Sequence, residues 1–422
     1  MNPGQTPLRG LRVLDWTHVL AGPFAAYNLA LLGADVVRVE RVDGTELIRD
    51  KGLDPQLAAA GLGESFVVQG SGKRSLAIDA RDARARAALH ALIARADVLV
   101  ENFRPGKLRA LGFDPAELVR RHPRLIVCSI TGFGQAGASS GRRAYDHVVQ
   151  AASGLMSANA DADGVPQRVG FPIIDYAVGM QAALAVLAAL ARRNAQEAAG
   201  AAREQGEWLD VSMRDAALTL LAPVYATHAV SGRERPRTRS TAFSGSPLSG
   251  TFATNDGHLA IVCNSVVQSV ALLRSLARAG ASAAELEAIE SGARSGDVDG
   301  AQAALARVLA ARGAAQWEAW LSEDGVPAAR VLSASQAYDH ARADAARWPR
   351  VELAHADGRA VQVPGPGFGS SLPLVPSPLG APPVRGEHSR AVLREAGLDD
   401  ASIDAMIADG VVRQHGAAGA RH

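Results

Sequence analysis

The sequence predicts an α/β protein, with a Rossmann-like, parallel-sheet large domain and a smaller α+β domain. Three observations carry this. Apolar, β-branched runs alternate with Ala/Leu-rich helical runs through about the first 150 residues, the pattern of a doubly wound sheet. A Gly/Ser/Pro/Arg-rich stretch, "SGRERPRTRSTAFSGSPLSG", breaks that pattern, and such long irregular segments join domains or carry function. The length, 422 residues, exceeds what one compact core usually holds.

The elements follow in order. "LRVLDW" is a strand, "THVLAGP" a loop, "FAAYNLALLG" a helix closed by Gly33, and "ADVVRVE" the next strand. Helix "ARAALHALIARA", strand "DVLVEN", helix "PAELVRRH" and strand "RLIVCSIT" continue the alternation. "GFPIIDYAVGM" reads as a short apolar strand, residues 171–174, that meets Asp175 at the N-cap of a long helix. "WLDVSM" is a strand and "RDAALTLLAPVYATHA" a helix. After the irregular stretch, "TFATNDGHLAIVC" is a hairpin turning at Asn255-Asp256-Gly257. Ala-rich helices, a strand in "GVPAARVLS", short strands among prolines and two amphipathic helices complete the chain.

Composition narrows the function. The 44 Lys+Arg balance 43 Asp+Glu, which leaves no electrostatic footprint for nucleic acid. Cys128 and Cys263 have neither metal spacing nor the look of a disulfide framework, which suits a reducing cytoplasm. "MNPGQTPLRG" lacks the apolar stretch of a signal peptide. The apolar run around residues 177–190 falls short of a membrane span.

Several familiar motifs are missing. There is no Walker A, no G-x-S-x-G elbow and no H-E-x-x-H, and the eleven histidines show no ligand spacing. "GFGQAG", residues 132–137, matches G-x-G-x-x-G formally. A Ser/Gly/Arg loop follows it where the dinucleotide fingerprint needs a helix, so we read it as a turn.

Basic and amide residues recur after strands: Arg41, then Lys73 and Arg74, then Asn102, Arg104 and Lys107, then Arg142 and Arg143. In an open α/β sheet, ligands bind beyond the carboxyl ends of the strands. Cations gathered there suit a ligand with several phosphates.

In combination, "LDWTHVLAGPFAAYNLALLGADVVRVER", "GSGKRSLAIDA", "ADVLVENFRPGKLRALGF", "ITGFGQAG", "YDHVVQAASG", "FPIIDYAVGM", "GEWLDVSMRDAAL" and "GEHSRAVLREAGL" resemble the family III CoA-transferases. That family includes formyl-CoA transferase, carnitine CoA-transferase and α-methylacyl-CoA racemase. The resemblance spans nearly the whole chain, in the family's order. It implies that Asp175 is the nucleophile of a CoA transfer. It also implies that CoA is bound as substrate by Leu20, Ala21, Arg41, Gly72, Lys73, Asn102, Phe103, Arg104, Arg143, Ala144, Tyr145 and Asp146, with no permanent cofactor and no metal. The second substrate would be a small carboxylic acid, by family habit a dicarboxylate.

The sequence departs from the family at three places. Ala110 stands where formyl-CoA transferase has an arginine, and Arg109 is the nearest substitute. Leu20 replaces a glutamine near that enzyme's small acid, which argues against oxalate or formate. Tyr145 stands where the racemase has its histidine, with His147 two positions later, so a two-base racemase mechanism lacks a base. A transferase is therefore favoured over a 2-methylacyl-CoA racemase or a catalytically silent acyl-CoA-binding member.

The resemblance further implies an interlocked homodimer. Its large domain would comprise residues 1–225 and 341–422, and the linker and small domain residues 226–340. The loop at residues 243–250 would close over the acyl group.

Overall fold

The computed structural model describes residues 6–416, apart from 45, 162, 203, 235–243, 344–347, 354–358 and 377. The chain forms two compact units. The larger comprises Met1–Asn159, Pro166–Ser231 and Arg342–His422; the smaller comprises Ala160–Val165 and Gly232–Ala341.

The larger unit is built on one sheet. Its strands are β1 (Arg12–Trp16), β2 (Asp35–Glu40), β3 (Lys73–Ile78), β4 (Val98–Glu101), β5 (Ile126–Thr131) and β6 (Glu207–Ser212). They lie in the order β3-β2-β1-β4-β5-β6, all parallel. This is the doubly wound dinucleotide-fold order, and it reverses at β1, between β2 and β4. The inner strands β1, β4 and β5 are nearly continuous apolar runs because helices cover both faces. Val13, Val98, Val100, Ile126 and Cys128 pack on one face, and Leu14, Val37, Leu76, Leu99 and Val127 on the other.

Three sequence expectations need correction. "GSGKRSLAID" is not a loop: Lys73 opens β3. Its first three residues are polar, which hid the strand. There is no strand at residues 171–174, because the helix starts at Ile173 and runs to Ala198. Ile173 and Ile174 have high β-propensity, but tertiary packing overrides so weak a preference. That helix is also long and apolar enough to cross a membrane, and half of the apolar stretch is buried inside the protein, as in a core helix. It packs along the first helix, Ala21–Leu31. Gly179 permits the approach: a Cβ there would meet the Ala21 carbonyl oxygen at 2.8 Å.

In the smaller unit, β7 (Gly250–Ala253), β8 (His258–Ile261) and β9 (Ala328–Arg330) form an antiparallel sheet. Helices between residues 266 and 323 bury Leu259, Leu272, Leu305 and Trp317 against it. Residues 244–250 form a tied turn. Ser246 Oγ donates to the Cys263 carbonyl at 2.6 Å, and Cys263 N–H donates to Ser249 Oγ at 2.8 Å. Phe243, at the head of that loop, lies outside the described residues.

Back in the larger unit, β10 (Arg350–Glu352) and β11 (Ala360–Gln362) form a hairpin. Two helices, Ser389–Glu395 and Asp400–Ala408, then lead to β12 (Val412–Arg413), which pairs antiparallel with β3.

Candidate active site

The loop from β1 to the first helix is held in an unusual conformation. Val19 has φ +62°, the only positive φ outside glycine among the described residues. A β-branched residue there is strained, and such strain persists only where the surroundings enforce it. Here they do. Asn102 accepts from His18 N–H at 2.9 Å and donates to the His18 carbonyl at 2.8 Å, and Val19 N–H donates to Glu46 Oε1 at 3.0 Å. Asn102 thus positions the loop with both ends of its amide. Leu20 is the N-cap residue of the first helix and Ala21 its first, buried residue.

A cavity of about 310 Å³ opens beside this loop, at the carboxyl ends of β1, β2 and β4. Trp16, His18 and Phe103 form its aromatic wall, and Arg41 and Arg385 its cationic one. Phe103 meets Trp16 edge-on and lies against His18. Arg104 is exposed just beyond. Arg385 was not anticipated: it enters from far along the chain, well beyond Phe103, the next lining residue in sequence.

Gly72 and Lys73 are not at the cavity. They sit at the amino end of β3, where Gly72 N–H donates to the Gly380 carbonyl at 2.8 Å. The Lys73 ammonium is buried and donates to Asp15 Oδ2 at 2.7 Å and to the Pro23 carbonyl at 2.8 Å. Burial outweighs the pull of Asp15 and draws its pKa down to about 8. Arg74 pairs with Asp35 and Glu395 instead of any ligand.

A second arrangement surrounds Asp175. The residue is not an N-cap; it lies in the first turn, after Pro172 at the cap position. Asp146 does the capping from 28 residues upstream. Its Oδ2 accepts from Ile174 N–H at 2.7 Å and Asp175 N–H at 3.1 Å. Gln150, one turn on, donates to Asp146 Oδ1 at 2.5 Å and accepts from Val169 N–H at 2.9 Å. Asp146 is therefore a buried helix cap. Arg143 and Tyr145 before it are exposed, and Ala144 is half-buried. The i, i+4 spacing of Asp146 and Gln150 was a legible signal that sequence reasoning passed over.

Among the described residues, no hydrogen bond reaches the Asp175 carboxylate. Burial, and then the charge of Asp146, raise its pKa to about 7. The expected effect of a helix N-terminus is the opposite. Here the free N–H groups are already taken by Asp146. Asp146→Asn keeps a capping oxygen but turns an amide NH2 toward the Gln150 amide that donates to Asp146, so the melting temperature should fall somewhat. It removes the neighbouring charge, so the Asp175 titration midpoint, followed by carbon NMR of its carboxyl, should fall. An unchanged midpoint would mean that the two carboxylates do not interact.

A switch-point cavity and a carboxylate poised to titrate near neutrality, carried on a doubly wound sheet, define an α/β enzyme. The chain belongs to CoA-transferase family III, whose model matches residues 8–389. It is similar to the mouse succinyl-CoA:glutarate CoA-transferase, at 31% identity over 97% of this chain and 91% of that one. It is also similar to the succinyl-CoA:mesaconate CoA-transferase of Haloarcula marismortui, at 31% identity over 93% of this chain and 97% of that one. Among solved structures, it resembles a CaiB/BaiF family protein from Brucella suis, with a TM-score of 0.78 and 26% identity over 93% of this chain and all of that one.

Proposed function

We propose that this enzyme moves CoA from an acyl-CoA donor such as succinyl-CoA to a small carboxylic acid acceptor, through an aspartyl-CoA thioester on Asp175. The carrying observation is the Asp175 carboxylate itself: poorly solvated, without a hydrogen bond from the described residues, and ionising near neutral pH. Such a group keeps its lone pairs available for attack.

The steps balance as follows. The Asp175 carboxylate attacks the donor thioester, forming a mixed anhydride and releasing CoA thiolate. The thiolate attacks the aspartyl carbonyl of the anhydride, which frees the donor acid and leaves aspartyl-CoA. The acceptor carboxylate attacks that thioester and again expels thiolate. The thiolate takes the acceptor's acyl group and restores Asp175. The similar proteins named for glutarate and mesaconate favour a dicarboxylate acceptor.

In this reading the cavity at Arg41 and Phe103 receives the nucleotide half of CoA. The exposed Met180 and Leu184 on the 26-residue helix, and Leu220 at the end of the helix Met213–Leu220 that packs against it, suit the interface of a homodimer. The buried free thiols of Cys128 and Cys263 suit a reducing cytoplasm. Tyr145 and His147 are both exposed, which disfavours a two-base racemase.

The test is one preparation in D₂O, given succinyl-CoA and a panel of small acids, with a 2-methylacyl-CoA in parallel. New thioesters, ping-pong kinetics and a covalent mass on the Asp175 peptide are expected. Deuterium wash-in at the α-carbon without any new thioester would overturn the transferase mechanism.

A further inference from the structure

Arg385 has no role in the reading above, yet it faces the same cavity as Arg41. We propose that Arg385 is a second phosphate-binding residue, gripping a phosphate in the nucleotide half of CoA together with Arg41. This rests on the reading that the cavity receives CoA.

The first argument is geometry. Arg41 is an exposed cation: its side chain is 74% exposed, and among the described residues its guanidinium pairs with Asp43, at 3.1 Å. The Arg385 side chain is 13% exposed. Its Nη1 donates to the Gly44 carbonyl at 2.7 Å, and its Nη2 lies 3.8 Å from Asp50, beyond hydrogen-bond length. The guanidinium is therefore fixed in direction while much of its five-donor fork stays unused. A pre-positioned fork loses less freedom when it meets a phosphate than a mobile one does.

The second argument is charge. The cavity wall carries Glu40, Asp43 and Glu46. Behind the wall, Arg49 binds Glu40 at 2.7 Å, and Arg38 lies 3.6–3.8 Å from Asp15, Glu40 and Glu46 without a hydrogen bond. Across both layers, the cations are Arg38, Arg41, Arg49, Lys73 and Arg385, and the carboxylates are Asp15, Glu40, Asp43, Glu46 and Asp50. Five therefore face five. Without Arg385 the surroundings are net negative and repel a phosphate.

The third argument removes the alternative. The nearest cation to Ala110 in sequence is Arg109, and its side chain is 66% exposed and bound to Asp114 at 2.7 Å. Arg109 does not line the cavity and Arg385 does, so Arg385 is the better-placed compensation for the basic residue missing at position 110.

The experiment is calorimetric binding of CoA, 3′-dephospho-CoA and pantetheine to the wild type and to Arg385→Gln. Glutamine keeps a donor for the Gly44 carbonyl and drops the charge. The Kd for CoA should rise about tenfold or more, the loss of a charge-assisted contact, while the Kd for pantetheine stays unchanged. A loss confined to CoA assigns the 3′-phosphate; a loss shared with 3′-dephospho-CoA assigns the diphosphate. Arg385→Lys should recover part of the affinity, which a purely structural role would not require. Equal effects on CoA and pantetheine, or none on CoA, would overturn the inference alone. A wild type that binds no CoA would overturn it together with the functional reading.

Discussion

Replacing Asp175 with alanine is expected to abolish CoA transfer, by at least about a thousandfold, without lowering stability. The two halves of that expectation have separate causes. Under the proposed mechanism activity is lost because Asp175 carries the covalent intermediate. Stability is kept because Asp175 is not the cap of its helix; Asp146 is. The pH dependence sharpens the point. The folded state holds the Asp175 proton up to about pH 7, whereas the ordinary value is 3.8. Between those values the folded protein binds more protons than the unfolded chain, so this carboxyl's contribution to stability is present below about pH 4 and lost as pH rises through 7. Asp175→Ala removes that decline. At pH 8 the variant should melt at or above the wild-type temperature, a trade of stability for function common at active sites. Melting scans from pH 4 to 8 and a transfer assay check both halves. Residual turnover of a tenth, or a clear drop in melting temperature at pH 8, would contradict the assignment.

Lys73→Ala should do the reverse: damage the fold rather than CoA binding. The ammonium is the direct partner of Asp15, which is fully buried and also accepts from the Thr17 hydroxyl. Removing one member of a buried ion pair typically costs about 3–5 kcal/mol, and here Asp15 would lose its hydrogen-bonded cation and keep only the Arg38 guanidinium, 3.8 Å away. The double change Asp15→Leu with Lys73→Met removes both charges at similar volume and should recover most of that loss. Thermal melting of the three variants decides it. A Lys73→Ala protein with wild-type melting and a raised KM for acyl-CoA would return Lys73 to the binding site.

These two residues mark the limits of what the sequence makes legible. The strand-helix alternation made β1, β2, β4 and β5 legible as largely apolar runs beside helices, and β6 through Trp208, Leu209 and Val211 between two helical stretches. β3 escaped because Lys73, Arg74 and Ser75 look like a loop, and their polarity is satisfied by groups from other elements: Asp15 and the Pro23 carbonyl, Asp35 and Glu395, and Glu40 and the Gly386 N–H. Asp175 could be singled out from local sequence, but its environment could not. The Asp146 cap arrives across 28 residues, and a cap from that distance leaves no periodic trace. Asn102 stands out in the sequence by its place after a strand, but the closing of its amide on the His18 backbone is visible only in the fold. Arg385 lies outside every pattern, since only the folded sheet brings residues 41 and 385 to one cavity.

The placement of β12 sets a schedule for making the protein. The outer edge of β3 is covered by residues from late in the chain: Val412 and Arg413 pair with Ile78 and Ala77, His388 N–H donates to the Ser75 carbonyl, and Ser389 Oγ accepts from Ala77 N–H. Synthesis at about 5–20 residues per second leaves roughly 20–70 s between the appearance of β3 and that of its cover. Throughout that interval a nascent sheet would present an open, hydrogen-bond-hungry border, the kind of surface on which chains stick to one another. The smaller unit's Gly232–Ala341 stretch is contiguous and can close during the wait. A ribosome-stalled fragment ending before residue 388 should therefore bind holdase chaperones through the larger unit, and release should coincide with emergence of the C-terminal strand.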